Sequence, residues 1–178
     1  MTTLKLGGFG SHAEGMNTKA LGTSAHSEGS TTQALANSTH AEGDSTVAFG
    51  EASHAEGYQT RAEGNQSHTE GLSTVAKGNS AHAEGRHTKA EGYATHAEGI
   101  ASYAGADAVV QSHSNMDYSG RGVGAHAEGQ GTAASGNSAH AEGWKTEASG
   151  QYSHAEGNNT KAVGNYSHAG GQGTIANG

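Results

Sequence analysis

The chain has 178 residues, with 30 glycines, no proline, no cysteine and a formal net charge of −8. Without cysteine it can form neither disulfides nor thiolate metal centres. No stretch approaches the roughly 20 apolar residues of a membrane helix, and an acidic balance without a basic stripe argues against nucleic acid as a partner.

Leu, Ile, Val and Phe number only 15 of 178, a composition that by itself reads as disorder. A strict internal period overturns that reading, because stacked repeats give every backbone amide a partner and need only a thin interior. The N-terminus carries no signal-peptide core. The expectation is therefore a mature fragment, or a protein that leaves the cell by another route, such as inside a virion.

In chain order, the first segment is Thr2-Thr-Leu-Lys-Leu-Gly-Gly8. It places Leu4 and Leu6 at alternate positions, with Phe9 just beyond. These three are predicted to plug the open end of the repeats that follow, as terminal capping coils do.

The repeat begins at His12. His12, His26, His40, His54, His68, His82 and His96 fall fourteen residues apart, mostly within Ser-His-Ala-Glu-Gly or a close variant. A fixed short period of this kind marks a solenoid in which each repeat adds one coil. Each coil divides into two seven-residue halves, as in Leu72-Ser-Thr-Val-Ala-Lys-Gly78 and Asn79-Ser-Ala-His-Ala-Glu-Gly85. Small residues at positions three, five and seven alternate with larger ones, the period-two pattern of a strand. Each half is predicted to be a strand of about 4–5 residues with a glycine-assisted corner. Positions three and five face a very flat interior, and positions four and six face outward. At about 4.8 Å per coil the stack makes a rod roughly 55 Å long.

From His96 to His126 the spacing is 30 residues instead of 14. Ile100 to Ala106 still fits a half-coil, whereas Asp107 to Gly122 does not. The segment 107–122 is predicted to leave one side of the rod as a loop or small hairpin. Val109, Val110, Met116 and Tyr118 make it a candidate binding loop, reaching a neighbouring subunit or an external ligand; a decoration that only locks adjacent chains is the equal alternative. The repeat resumes at His126, His140, His154 and His168, so 1–178 reads as a single domain carrying one insertion.

Two outward faces differ. In the first half, position four is histidine in all eleven coils and position six is glutamate in ten: Glu14, Glu28, Glu42, Glu56, Glu70, Glu84, Glu98, Glu128, Glu142 and Glu156. Gly170 takes the eleventh place, beside His168. The second half is irregular, with pairs such as Lys19/Leu21, Val47/Phe49, Arg61/Glu63 and Glu147/Ser149. An interior of Ala and Thr offers little apolar burial at about 25 cal/mol per Å², so association through a repeating face is the expected remedy. A symmetry axis demands such uniformity.

The fourteen-residue repeat resembles the YadA-like heads of trimeric autotransporter adhesins. Asp44-Ser-Thr-Val-Ala-Phe-Gly50 comes nearest to that family's wording, Asn-Ser-Val-Ala-Ile-Gly. His82 and Glu84 stand where the family has Val and Ile. The resemblance implies an all-β fold, a left-handed parallel β-roll with 14 residues per coil, a parallel homotrimer, and attachment to an extracellular or host-surface ligand from the cell surface. Similar Ser-His-Ala-Glu-Gly repeats also resemble those of phage tail-associated proteins, which places the alternative in a virion tail fibre.

On a threefold axis, each rung would present three imidazoles and three carboxylates able to hydrogen-bond between chains. This ladder is read as fixing register and partner more than adding stability. Rings of three histidines holding Zn²⁺ or Ni²⁺ are the less favoured use, and neither metal nor cofactor is expected. No His-Glu-x-x-His helix, nucleophile elbow or phosphate loop occurs, and a pair repeated in every coil is the opposite of one activated site, so an enzyme is not expected. Ice binding by the Thr18, Thr32, Thr46, Thr60, Thr74 and Thr88 row is disfavoured because the register turns it inward. Acid should loosen the assembly near pH 4–5, where charged imidazoles lose their carboxylate partners.

Overall fold

The computed structural model describes residues 7–105 and 122–178. They form a parallel β-solenoid of eleven coils, built as two sheets of eleven strands each. All strand pairing is parallel and in register at one coil's separation, His82 beside His68 and His96, Val75 beside Arg61 and Lys89. No helix among the described residues is long and apolar enough to cross a membrane.

The two halves of each coil are unequal. The first forms a five-residue strand starting at its histidine, from His12–Met16 to His154–Asn158, shortened in the last coil to His168–Ala169. The second forms only two residues of strand, as in Val75–Ala76 and Lys89–Ala90, shorter than the alternation predicts. The cause lies in the corners. Both turn at position two, where the backbone is left-handed on ordinary residues: Ser80 has φ 56° and His87 φ 57°. The second half closes in a four-residue turn, Ala81 N–H donating to the Gly78 carbonyl at 3.2 Å, which takes its last residues out of the sheet, whereas Gly85 and Arg86 after the first half stay paired with the neighbouring coil.

Glycine assists differently from expectation. Gly85 has φ 100°, yet it lies inside the strand His82–Arg86, and a Cβ there would come within 2.2 Å of the Gly99 carbonyl oxygen. Gly78 has ordinary φ, but its Cβ would fall 1.7 Å from the Gly92 carbonyl oxygen. These columns hold glycine because neighbouring coils pass too closely for a side chain. The corner residues tolerate left-handed φ because each N–H is tied to the previous coil, Ser80 to the Asn65 carbonyl at 2.8 Å and His87 to that of Leu72 at 2.8 Å. With such bonds on every coil, the backbone supplies the cohesion that a larger core would otherwise provide.

The interior follows the predicted register. Ala83, Ala76, Ala90 and their equivalents in the interior coils are fully buried, as are Thr32, Thr46, Thr60, Thr74 and Thr88. The alanine column divides into two clusters around the coil where Thr69 replaces alanine. The expected N-terminal plug fares differently. Phe9 is 90 % exposed and the first strand is exposed along its whole length, so Phe9 is not packed as a cap. Leu4 and Leu6 lie outside the described residues.

The insertion does not interrupt the stack. His96 to Ile100 pairs directly with His126 to Gln130. Gly105 donates to the Ala134 carbonyl as Glu91 does to that of Ala104, and Ala125 donates to Gly122 as Ala81 does to Gly78. Gly105 and Gly122 therefore occupy consecutive coil positions, six and seven, which returns Gly122 to the coil. Val109, Val110, Met116 and Tyr118 lie outside the described residues.

Candidate functional site: a histidine–glutamate face

Parallel in-register pairing puts every first-half position four in one row and every position six in the next. Each strand leans its side chains outward from the same sheet face, so the eleven histidines form one column and the ten glutamates another. From His26 to His168 consecutive imidazoles stack with centroids 4.7–4.9 Å apart and planes within 2–14° of parallel. His12 meets His26 edge-on at 67°. The coil pitch imposes this spacing. A ring attached to each coil has no other place to lie than against the ring below.

Each Nε2 approaches a carboxylate. Within one coil the Nε2 to Oε2 separation is 3.4 Å for His40 and Glu42, 3.6 Å for His82 and Glu84, and 3.5 Å for His126 and Glu128. His154 lies 3.8 Å from Glu142 and His168 3.3 Å from Glu156, each in the coil before. At the eleventh position the glutamate of the coil before reaches over Gly170. A Cβ on Gly170 would lie 2.9 Å from Glu156 Oε1, the oxygen beside His168.

Among the described residues only His12 makes a hydrogen bond with its own glutamate, at 3.2 Å to Glu14. In the eight consecutive coils from His40 to His154 the Nε2 atom is buried and has no hydrogen-bond partner within the chain. These nitrogens are shielded from water while their rings remain about one-third exposed. A buried donor or acceptor left unsatisfied costs roughly 1–3 kcal/mol, and here the deficit recurs coil after coil. The predicted hydrogen-bonded ladder is therefore not made inside one chain.

Electrostatics sharpen the point. Burial holds the imidazoles of His54, His82 and His126 below the usual histidine range, and the histidines above and below each push in the same direction. Glu42 and Glu56 beside His54, and Glu70 and Glu84 beside His82, oppose this without reversing it. The register sets glutamate against glutamate, Glu70 beside Glu84 and Glu142 beside Glu156. Two unit charges at such a pitch repel by about 1 kcal/mol in water and about 3.5 kcal/mol at an effective dielectric near 20. The face thus sets a row of carboxylates beside a row of imidazoles, three of which, His54, His82 and His126, burial biases toward the neutral form.

The second-half face has no such rule, as the sequence predicts. It carries scattered ion pairs: Arg61 to Glu63 at 2.9 Å, and Lys161 to Glu147 at 2.8 Å between coils. One cluster escaped sequence reasoning. Glu91 is buried, with Lys77 at 2.6 Å and the Tyr103 hydroxyl donating to it at 2.8 Å. Nothing periodic announces it. A second feature did leave a periodic trace, the asparagines at position one. Asn65 accepts from the Glu51 N–H at 2.9 Å, Asn79 from Asn65 at 3.0 Å and Asn165 from Gln151 at 2.9 Å. Each closes the corner of the coil before it.

No protein-family model matches this chain, and none of the curated proteins compared with it is similar.

Proposed function

We propose that the chain is a non-enzymatic structural and adhesive module that works as a parallel homotrimer, with the three histidine–glutamate faces turned toward one threefold axis. One observation carries the reading: eight consecutive buried imidazole nitrogens on a uniform face lack partners within their own chain. A glutamate from a neighbouring chain is the acceptor such an Nε2–H needs, and the same solution serves every rung. The irregular second-half face then points outward, where no common packing problem constrains it.

The resemblance of the fourteen-residue repeat to YadA-like adhesin heads supports the same assembly. It adds a left-handed coil, a cell-surface location and an extracellular or host-surface ligand. The wording Ser-His-Ala-Glu-Gly, nearer to phage tail-associated repeats, favours a second reading in which the same trimer is a virion tail-fibre segment. In both, the rod is a stiff spacer presenting irregular features along its length. The test is mass in solution by sedimentation equilibrium. A particle of three times the 17.8 kDa chain is expected, and a stable, well-folded single chain overturns the proposal.

A further inference from the structure

The face that the homotrimer would bring together also has the geometry of a cation site. Groups such as His40, Glu42 and His54, or His82, Glu84 and His96, place one ligand atom each within 4.8 Å of one another. The stack decides how they can be used. Neighbouring rings are parallel and about 4.8 Å apart, so their Nε2 lone pairs run side by side in separate planes. One ion bound in the plane of the first ring lies too far from the second. Two histidines of one chain cannot share an ion.

Histidine and glutamate of one coil can. Their Nε2 to Oε2 separations of 3.4 Å at His96 and Glu98, 3.5 Å at His126 and Glu128, and 3.6 Å at His54 and Glu56 match the N···O edge of a tetrahedral site. That edge is about 3.4 Å for bonds of about 2.1 Å to nitrogen and oxygen. Within one chain the nitrogens are stripped of water and unpartnered; at an occupied rung the cation takes the place of the interchain Nε2–H to glutamate bonds, with the ring proton on Nδ1. Imidazole with carboxylate suits first-row divalent ions such as Zn²⁺.

We infer that the histidine–glutamate face binds divalent first-row transition cations between chains, two neighbouring chains each contributing one His–Glu clamp to close a four-ligand site. The inference rests on the trimeric reading, since a single chain supplies only two ligands to any ion. Ions occupy at most one site per rung, and adjacent rungs compete because two dications would lie one coil apart.

The experiment uses full-length protein purified without metal-affinity resin, stripped with EDTA and dialysed against Zn²⁺. Native mass spectrometry counts chains and ions together, and melting is recorded with and without Zn²⁺. Expected are three chains, several retained ions and a raised Tm. Glu84→Gln with Glu98→Gln, which keep shape and hydrogen bonding, should weaken Zn²⁺ retention at those rungs at least tenfold. His87→Asn, at an exposed corner outside the column, should leave the ion count unchanged. Three chains that retain no Zn²⁺, or that lose it equally with His87→Asn, overturn the inference and leave the trimer standing. A single chain under all conditions overturns both.

Discussion

Replacing Gly85 by alanine and, separately, Gly171 by alanine would measure how much of the fold rests on the closeness of its coils. Both glycines have the same unusual backbone, φ 100° and 96°, so both substitutions incur the strain of a side chain in a sparsely allowed region, of order 1–3 kcal/mol. They differ in what lies beyond. At Gly171 a Cβ meets nothing within 4 Å, whereas at Gly85 it meets the Gly99 carbonyl oxygen at 2.2 Å and that residue's carbon and nitrogen at 3.0 and 3.1 Å. To restore even 3.0 Å the next coil must retreat by about 0.8 Å. The bonds bracketing this strand, His82 N–H to the Thr95 carbonyl at 2.9 Å and Ala101 N–H to the Arg86 carbonyl at 2.8 Å, would then stretch to about 3.6–3.7 Å, beyond hydrogen-bonding range.

Two lost ladder bonds at about 1 kcal/mol net each separate the variants by about 2 kcal/mol, or roughly 4–8 °C in Tm for a chain of this size. Thermal melting by circular dichroism on both variants reads the difference. Gly131→Asn is the companion control. There φ is 67° with only Lys145 Cγ at 3.6 Å, and Asn159 already holds the equivalent corner at φ 55°, so Tm should change by less than about 2 °C. Equal losses for Gly85→Ala and Gly171→Ala would refute the argument that coil contact, and not backbone strain alone, keeps this column glycine.

Deleting 106–121 should leave the solenoid intact, with melting unchanged to within a few degrees, because Gly105 and Gly122 already hold consecutive coil positions; a deletion that fails to fold would show that the segment helps hold the stack. Asn79→Ala removes the acceptor for the Asn65 N–H at 3.0 Å and should lower stability by about 0.5–1.5 kcal/mol, read by urea denaturation; no change would mean that water replaces it freely. Stability should also fall with acid. The imidazoles of His54, His82 and His126 are held below the ordinary value of 6.5, so the unfolded chain binds their protons more readily. Their contribution is complete above about pH 6.5 and is lost as pH drops below it toward the folded values. The neighbouring imidazoles, His40 and His68 around His54 and His68 and His96 around His82, push in the same direction, against Glu42, Glu56, Glu70 and Glu84. A Tm flat from pH 7.5 to pH 5 would contradict this.

What the sequence revealed and what it hid follow from one physical fact: the coil pitch repeats every row. Anything present in each coil was legible, including the solenoid, the inward Ala and Thr columns, and the outward His and Glu columns. Position two was misleading because sequence rules seek a left-handed corner at glycine, while here Ser80 and His87 turn the chain with their N–H groups pinned by the coil before. Features made once stayed hidden, as with Lys77, Glu91 and Tyr103, whose meeting depends on which side chains share a face in adjacent coils. The same reasoning bears on the candidate site. Stacking of imidazoles at 4.8 Å is a consequence of pitch, and by itself needs no function. What pitch does not explain is why the atom nearest the glutamates is buried and unbonded through eight consecutive coils, when asparagine or serine at position four could have satisfied itself locally. A partner outside the chain would account for that choice, and the proposed homotrimer supplies the same one at every rung.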